Sequence, residues 1–153
     1  MIVKFNKLIL KKRPTCAIAL SINLLGDKWT LLILRDIILH KKSRFKEFLM
    51  SKEKIATNIL TNRLKSLLVH GFIEKLDPLG TKKSTRYLAT TQGISTLPII
   101  IELYLFSIED IDESFLNESQ LSIKKDIICD RYMFEKKKKV EYINFVKKLK
   151  ASL

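Results

Sequence analysis

The run "LLGDKWTLLILRDI", residues 24–37, constrains the chain more than any other stretch. Two apolar segments meet at Gly26-Asp27-Lys28. Glycine closes a helix by accepting a left-handed conformation, and an aspartate after it can cap the next helix and face its positive end. In the second segment Leu31, Leu32, Ile33, Leu34, Ile37 and Ile38 cover more than one stripe. Such a helix cannot sit on a surface and must be the centre of a helical domain. Trp29 is then expected to pack at the corner, with Lys28 in solvent.

Stop and start signals organise the rest. Residues 1–13 read as a basic arm. Thr15, after Pro14, caps a first helix through Ala17, Leu20, Leu24 and Leu25. The central helix runs to about Leu39. Ser43 caps a short third helix, "RFKEFLM". The stretch "ATNILTNRLKSLLVHG" puts Leu60, Leu64, Leu67 and Leu68 on one face and stops at Gly71. "FIEKLDPLGTKKSTRYLAT" reads as a hairpin with its tip at Asp77-Pro78-Leu79-Gly80. Thr90 or Thr91 opens a long apolar helix kinked at Pro98, and residues 117–153 form one or two charged helices. Helix, short helix, turn, helix and hairpin is a winged helix-turn-helix order. The fold class is therefore α+β and mostly helical. The expected domains are the arm (1–13), a winged-helix domain (14–114) and a charged helical extension (115–153).

Charge narrows the partner. The net charge is +13, and residues 101–153 carry ten basic and ten acidic side chains, so all the excess lies in the first hundred residues. A basic block of this kind suits a polyanion, whose condensed counterions are released on binding. Once the leucines of residues 57–68 face inward, Thr57, Asn58, Thr61 and Asn62 remain outward as candidate base contacts, because short amides and hydroxyls reach base edges. Arg63 and Lys65 can meet phosphates, as can Arg44 and Lys46 at the short helix and Lys82, Lys83 and Arg86 on the hairpin. The expected partner is double-stranded DNA. The alternative is a module that binds RNA or nucleoid without sequence preference.

Other features point away from chemistry. Cys16 and Cys129 form no C-x-x-C pair, which argues against a disulfide framework or zinc site and suits a reduced cytoplasm. Cys129 reads as core or interface. His40 and His70 stand alone near helix ends, no glycine-rich phosphate loop is present, and Glu109, Asp110, Asp112 and Glu113 lack a calcium-loop pattern. No catalytic residue, metal or cofactor is expected. Pro14–Gly26 lacks a signal-peptide cleavage site, and Tyr87–Ile101 is too short to span a bilayer, so no membrane partner is expected. Val140, Ile143, Val146 and Leu149 form a narrow stripe expected to pack on the body.

"CAIALSINLLGDKWTLLILRDIILHKKSRFKEF", then "LTNRLKSLLVHGFIEK" and "RYLATTQG…LP", resemble the HxlR-type winged-helix transcriptional regulators over about residues 14–110. The resemblance implies a homodimeric, one-component DNA-binding regulator, often a repressor. It places the dimer interface on Thr15–Leu25 and Thr91–Asp112. It also makes Cys16 the candidate sensor of electrophiles or oxidants. Ala56 stands where the family usually has a serine cap, which leaves Thr57 to cap the recognition helix or shifts the start of that helix. Ala89 stands where the second wing strand usually has leucine.

Overall fold

The computed structural model describes residues 16–81 and 84–152. It divides into two compact units, the first ending at Ile94 and the second beginning at Ser95. Thr15, the expected cap of the first helix, lies outside the described residues.

In the first unit, α1 (Ala17–Leu25) is followed by α2 (Lys28–His40), α3 (Phe45–Leu49) and α4 (Thr57–Val69). Strands β1 (Ile73–Lys75) and β2 (Tyr87–Ala89) and the short α5 (Thr91–Ile94) complete it. The corner between α1 and α2 forms largely as the sequence predicts. The Asp27 carboxylate accepts hydrogen bonds from the amides of Trp29 and Thr30 at 3.0 and 3.1 Å. Lys28 lies over the half-buried Trp29 ring at 4.7 Å, a cation–π contact in addition to solvent exposure. Gly26 departs from expectation: its φ of −70° is right-handed. What glycine supplies there is room, since a β-carbon would sit 2.4 Å from the Ile22 carbonyl oxygen.

Helix α2 is the centre of this unit. Ile33, Leu34, Ile37 and Ile38 are buried, and they share the core with Phe48, Leu60, Leu64, Leu67 and Leu88. Helix α4 ends at Val69, and Gly71 turns the chain with a φ of +74°, where any other residue would be strained. The strands pair antiparallel with Ile73 opposite Ala89 and Lys75 opposite Tyr87. Thr90 ties off the hairpin by donating its hydroxyl to the Gly71 carbonyl at 2.6 Å and accepting the Gly93 amide at 3.1 Å. Gly93 and Ala89 are small because α5 lies on the sheet: a β-carbon on Gly93 would stand 2.1 Å from the Phe72 carbonyl oxygen and 3.1 Å from the Ala89 methyl.

Two expectations are corrected by long-range geometry. Ser43 does not cap α3; Arg44 occupies that position. The buried Ser43 instead lends its carbonyl to the amide of Tyr87 at 2.7 Å, and Arg44 bridges Arg86, so residues 43–44 extend the hairpin sheet. Pro98 does not kink a continuous helix. Helix α5 ends at Ile94, and the proline lies in the first turn of a separate helix, where its missing N–H costs nothing.

The second unit comprises α6 (Leu97–Ser107), two 3₁₀ turns (Ile108–Asp110 and Glu113–Phe115), α7 (Glu118–Cys129) and α8 (Arg131–Ala151). Asn117 and Gln120 cap α7 reciprocally at 2.9 and 3.0 Å. The single extended residue Asp130 separates α7 from α8, and its carboxylate accepts the amides of Tyr132 and Met133. Ile127, Phe134 and Tyr142 are buried. The expected inward stripe is only partly inward: Val140 is 49% exposed and Ile143 42%. The inward face of α8 is carried by Phe134 and Tyr142 instead. Cys129, expected in a core or interface, is exposed, which excludes the core reading.

Candidate nucleic-acid interface

Helix α4 presents two opposed faces. Leu60, Leu64 and Leu67 are at most 2% exposed, whereas Thr57, Asn58, Thr61, Asn62 and Lys65 are all exposed. The 3.6-residue period separates the two sets. The helix opens without a side-chain cap, because Ala56 holds the N-cap position. Thr57, expected to cap, is instead the first helical residue. The amides of Thr57 and Asn58 are therefore left without a capping side chain.

The outward side chains are not equally available. The Thr61 hydroxyl donates to the Thr57 carbonyl at 2.8 Å, and the Asn58 carboxamide oxygen accepts the Ile59 amide at 2.9 Å. Arg63 is half-buried and reaches Asp27 at 3.8 Å, on the side of the α1–α2 corner.

Around this face stand the predicted backbone cations. Arg44 and Lys46 are exposed at the start of α3. Arg86 is half-buried and donates its Nη1 to the Ser43 hydroxyl at 2.8 Å, so it also braces the hairpin against α3. Lys82 and Lys83 lie outside the described residues. Between α3, α4 and the hairpin is a cavity of about 790 Å³. Arg44, Lys46, Lys65 and Lys75 border it, and Phe45, Leu64, Leu68 and Tyr87 supply apolar walls. Burial pushes the Tyr87 phenol above its ordinary value.

Sequence reasoning missed the device that holds the turn between α3 and α4. Asp36 on α2 is 2% exposed. Its carboxylate accepts Lys42 Nζ at 2.7 Å, Ser51 Oγ at 2.5 Å and Arg35 Nη2 at 2.6 Å. Arg35 continues to Glu53 at 2.7 Å. Burial would raise the Asp36 carboxyl, but the bonds from Lys42, Ser51 and Arg35 outweigh it and hold it below its ordinary value. The hydrogen bond from Arg35 likewise lowers Glu53. One cluster thus joins α2 to Ser51 and Glu53 in the turn that leads into α4. The Arg35-Asp36 pair inside the otherwise apolar run of residues 31–38 was the available signal.

Two helices, a tight turn and an antiparallel wing, with a polar face on the second helix, define a winged helix-turn-helix unit. The comparisons agree. The profile of the HxlR-like helix-turn-helix family matches residues 24–115. This chain belongs to that family. It is 28% identical over 97 residues to an uncharacterised HTH-type transcriptional regulator, YvaP, of Bacillus subtilis (strain 168), covering 63% of this chain and 89% of that protein. A solved structure described as a MarR-family transcriptional regulator of Porphyromonas gingivalis W83 has a TM-score of 0.56 at 28% identity, over 65% of this chain and 96% of that one. The oxidised form of the redox regulator HypR also has a TM-score of 0.56, at 22% identity over 63% of this chain and 99% of that one, a likeness of fold.

Proposed function

We propose that this protein is a homodimeric one-component transcriptional regulator, most simply a cytoplasmic repressor, that reads duplex DNA sequence-specifically. The observation that carries the reading is the division of α4, with leucines inward and Thr57, Asn58, Thr61, Asn62 and Lys65 outward. Each protomer places this face in a major groove, with half-sites about 34–36 Å apart. Asn62 is the strongest base-reading candidate, because no local hydrogen bond occupies its carboxamide among those of the described residues, and asparagine pairs bidentately with adenine. Arg44, Lys46, Lys65, Lys82, Lys83 and Arg86 hold the flanking phosphates. Arg63 assists from the edge near Asp27.

Dimerisation through α1 and α6 is supported by apolar side chains left on their surfaces. Ile18 is 71% exposed and Ile22 60% on α1, while Leu103 and Phe106 are exposed on α6. Apolar surface of this kind marks an interface. Cys16, exposed at the N-terminal end of α1, is the candidate thiol through which an oxidant or electrophile acts on the dimer. Arg13, whose charge the sequence places near it, lies outside the described residues.

Selection of bound duplexes from a random pool tests this function. A consensus palindrome is expected. Enrichment of no sequence, or preferential capture of single-stranded RNA in competition, favours the non-specific module and overturns the reading.

A further inference from the structure

We infer that the cavity between α3, α4 and the hairpin binds a small organic anion with an apolar, aromatic-sized body, and that this ligand competes with DNA. The competition, though not the site, rests on the DNA-binding function proposed above. The volume, about 790 Å³, lies in the range of small-molecule sites. Its walls carry more apolar surface than a phosphate backbone can use. Phe45, Leu68 and Tyr87 are half-buried at the wall, so each keeps apolar surface open to the cavity. DNA laid across the cations would leave these walls uncovered.

The polar groups select the ligand's charge. Arg44, Lys46, Lys65 and Lys75 line the cavity, and none of its described lining residues is acidic. Two of the three lining threonine hydroxyls offer a ligand little, because Thr61 already donates to the Thr57 carbonyl and Thr85 to the Thr81 carbonyl, each at 2.8 Å, which leaves only that of Thr57 among them. The donors left for a ligand are therefore chiefly the cations, which favour a carboxylate or sulfonate over a neutral acceptor. Thr57, Thr61 and Lys65 belong both to the cavity wall and to the proposed DNA-reading face. An occupied cavity places negative charge where a phosphate must come, so ligand and DNA exclude one another.

The test uses the full chain, isotope-labelled for NMR, with naphthalene-2-sulfonate and its neutral counterpart 2-naphthalenemethanol as probes. Sulfonate-induced shifts are expected at residues 44–46, 57–68, 75–81 and 84–87, with the alcohol about tenfold weaker. Lys75→Gln and Lys46→Gln, both at exposed positions, should each weaken the sulfonate about two- to fivefold. The sulfonate, but not the alcohol, should displace a fluorescent duplex at the concentration that saturates the shifts. Shifts confined to α1 or α6, or equal affinity for both probes, overturn the site. Shifts at the site without displacement of bound duplex overturn the competition. If no duplex binds at all, the function proposed above fails with the competition, while the shift map still confirms or refutes the site.

Discussion

Arg86 on the hairpin and Ser43 before α3 are joined by a 2.8 Å hydrogen bond between guanidinium and hydroxyl, across 43 residues of sequence. The Ser43 carbonyl receives the Tyr87 amide from the next residue of the same strand. The wing is thus fastened to the helix-turn-helix at its base, while its tip remains exposed. Ser43→Ala keeps the backbone bond and removes the side-chain one. It is expected to cost about 1 kcal/mol, because the half-buried guanidinium can regain some water. Denaturant unfolding checks the cost, and duplex affinity should fall with it as Arg86 loses its fixed position. An unchanged midpoint would remove this bond from the account.

Asp36 is the buried charge on which the turn into α4 depends. Asp36→Asn leaves Lys42 and Arg35 facing a neutral group and is expected to cost about 2–3 kcal/mol, less than for a fully enclosed pair because both partners keep some contact with water. The pH dependence follows from the direction of the shift. A carboxyl held below its ordinary value near 3.8 stabilises the fold above that pH and loses the contribution as pH falls through the lower folded value. The difference in stability between wild type and variant should be flat near neutrality and shrink only below about pH 4. A difference that changes between about pH 7.5 and 9, above the range in which the neighbouring His40 titrates, contradicts the assignment.

Asn62 and Lys65 separate the two modes of DNA recognition. Asn62→Ala should cost about 1–3 kcal/mol on the selected duplex and little on random duplexes. Lys65→Ala should weaken every duplex and reduce the salt slope by about one. Thr61→Ala should matter less than either, since its hydroxyl proton is already given to Thr57. Binding titrations at three salt concentrations distinguish these outcomes. Equal losses on all duplexes from Asn62→Ala remove it from base readout.

Cys16 gives a chemical prediction. Diamide should release the duplex from wild type and not from Cys16→Ser, whereas Cys129→Ser should respond as wild type. Both thiols are exposed, so access alone does not favour either. Equal release from wild type and Cys16→Ser would exclude Cys16 as the sensor.

The parts of the fold legible in the sequence are those fixed by local chemistry. Asp27 caps α2, Gly71 takes the positive φ that ends α4's turn, and the leucine period of residues 60–67 orients α4. The parts that were not legible depend on distant partners. Nothing adjacent to Ser43 indicates that its carbonyl serves Tyr87 rather than its hydroxyl serving α3. Lys41 and Lys54 adopt left-handed backbone with φ of 56° and 53° where no glycine or asparagine signals it. Pro98 was ambiguous because a proline disrupts a helix interior but suits a first turn. In the candidate site, the outward residues of α4 were readable from periodicity. The engagement of Thr61, Asn58, Arg63 and Arg86 in protein contacts was not, because only coordinates separate a free polar group from an occupied one.

Methylation interference on a selected duplex tests the central claim that the exposed face of α4 reads the major groove. The account predicts two patches of major-groove interference about one helical turn apart, related by the symmetry of the site, with one contact in each half-site lost in Asn62→Ala. Interference spread evenly along the duplex, or confined to the minor groove and unchanged in the variant, would contradict it.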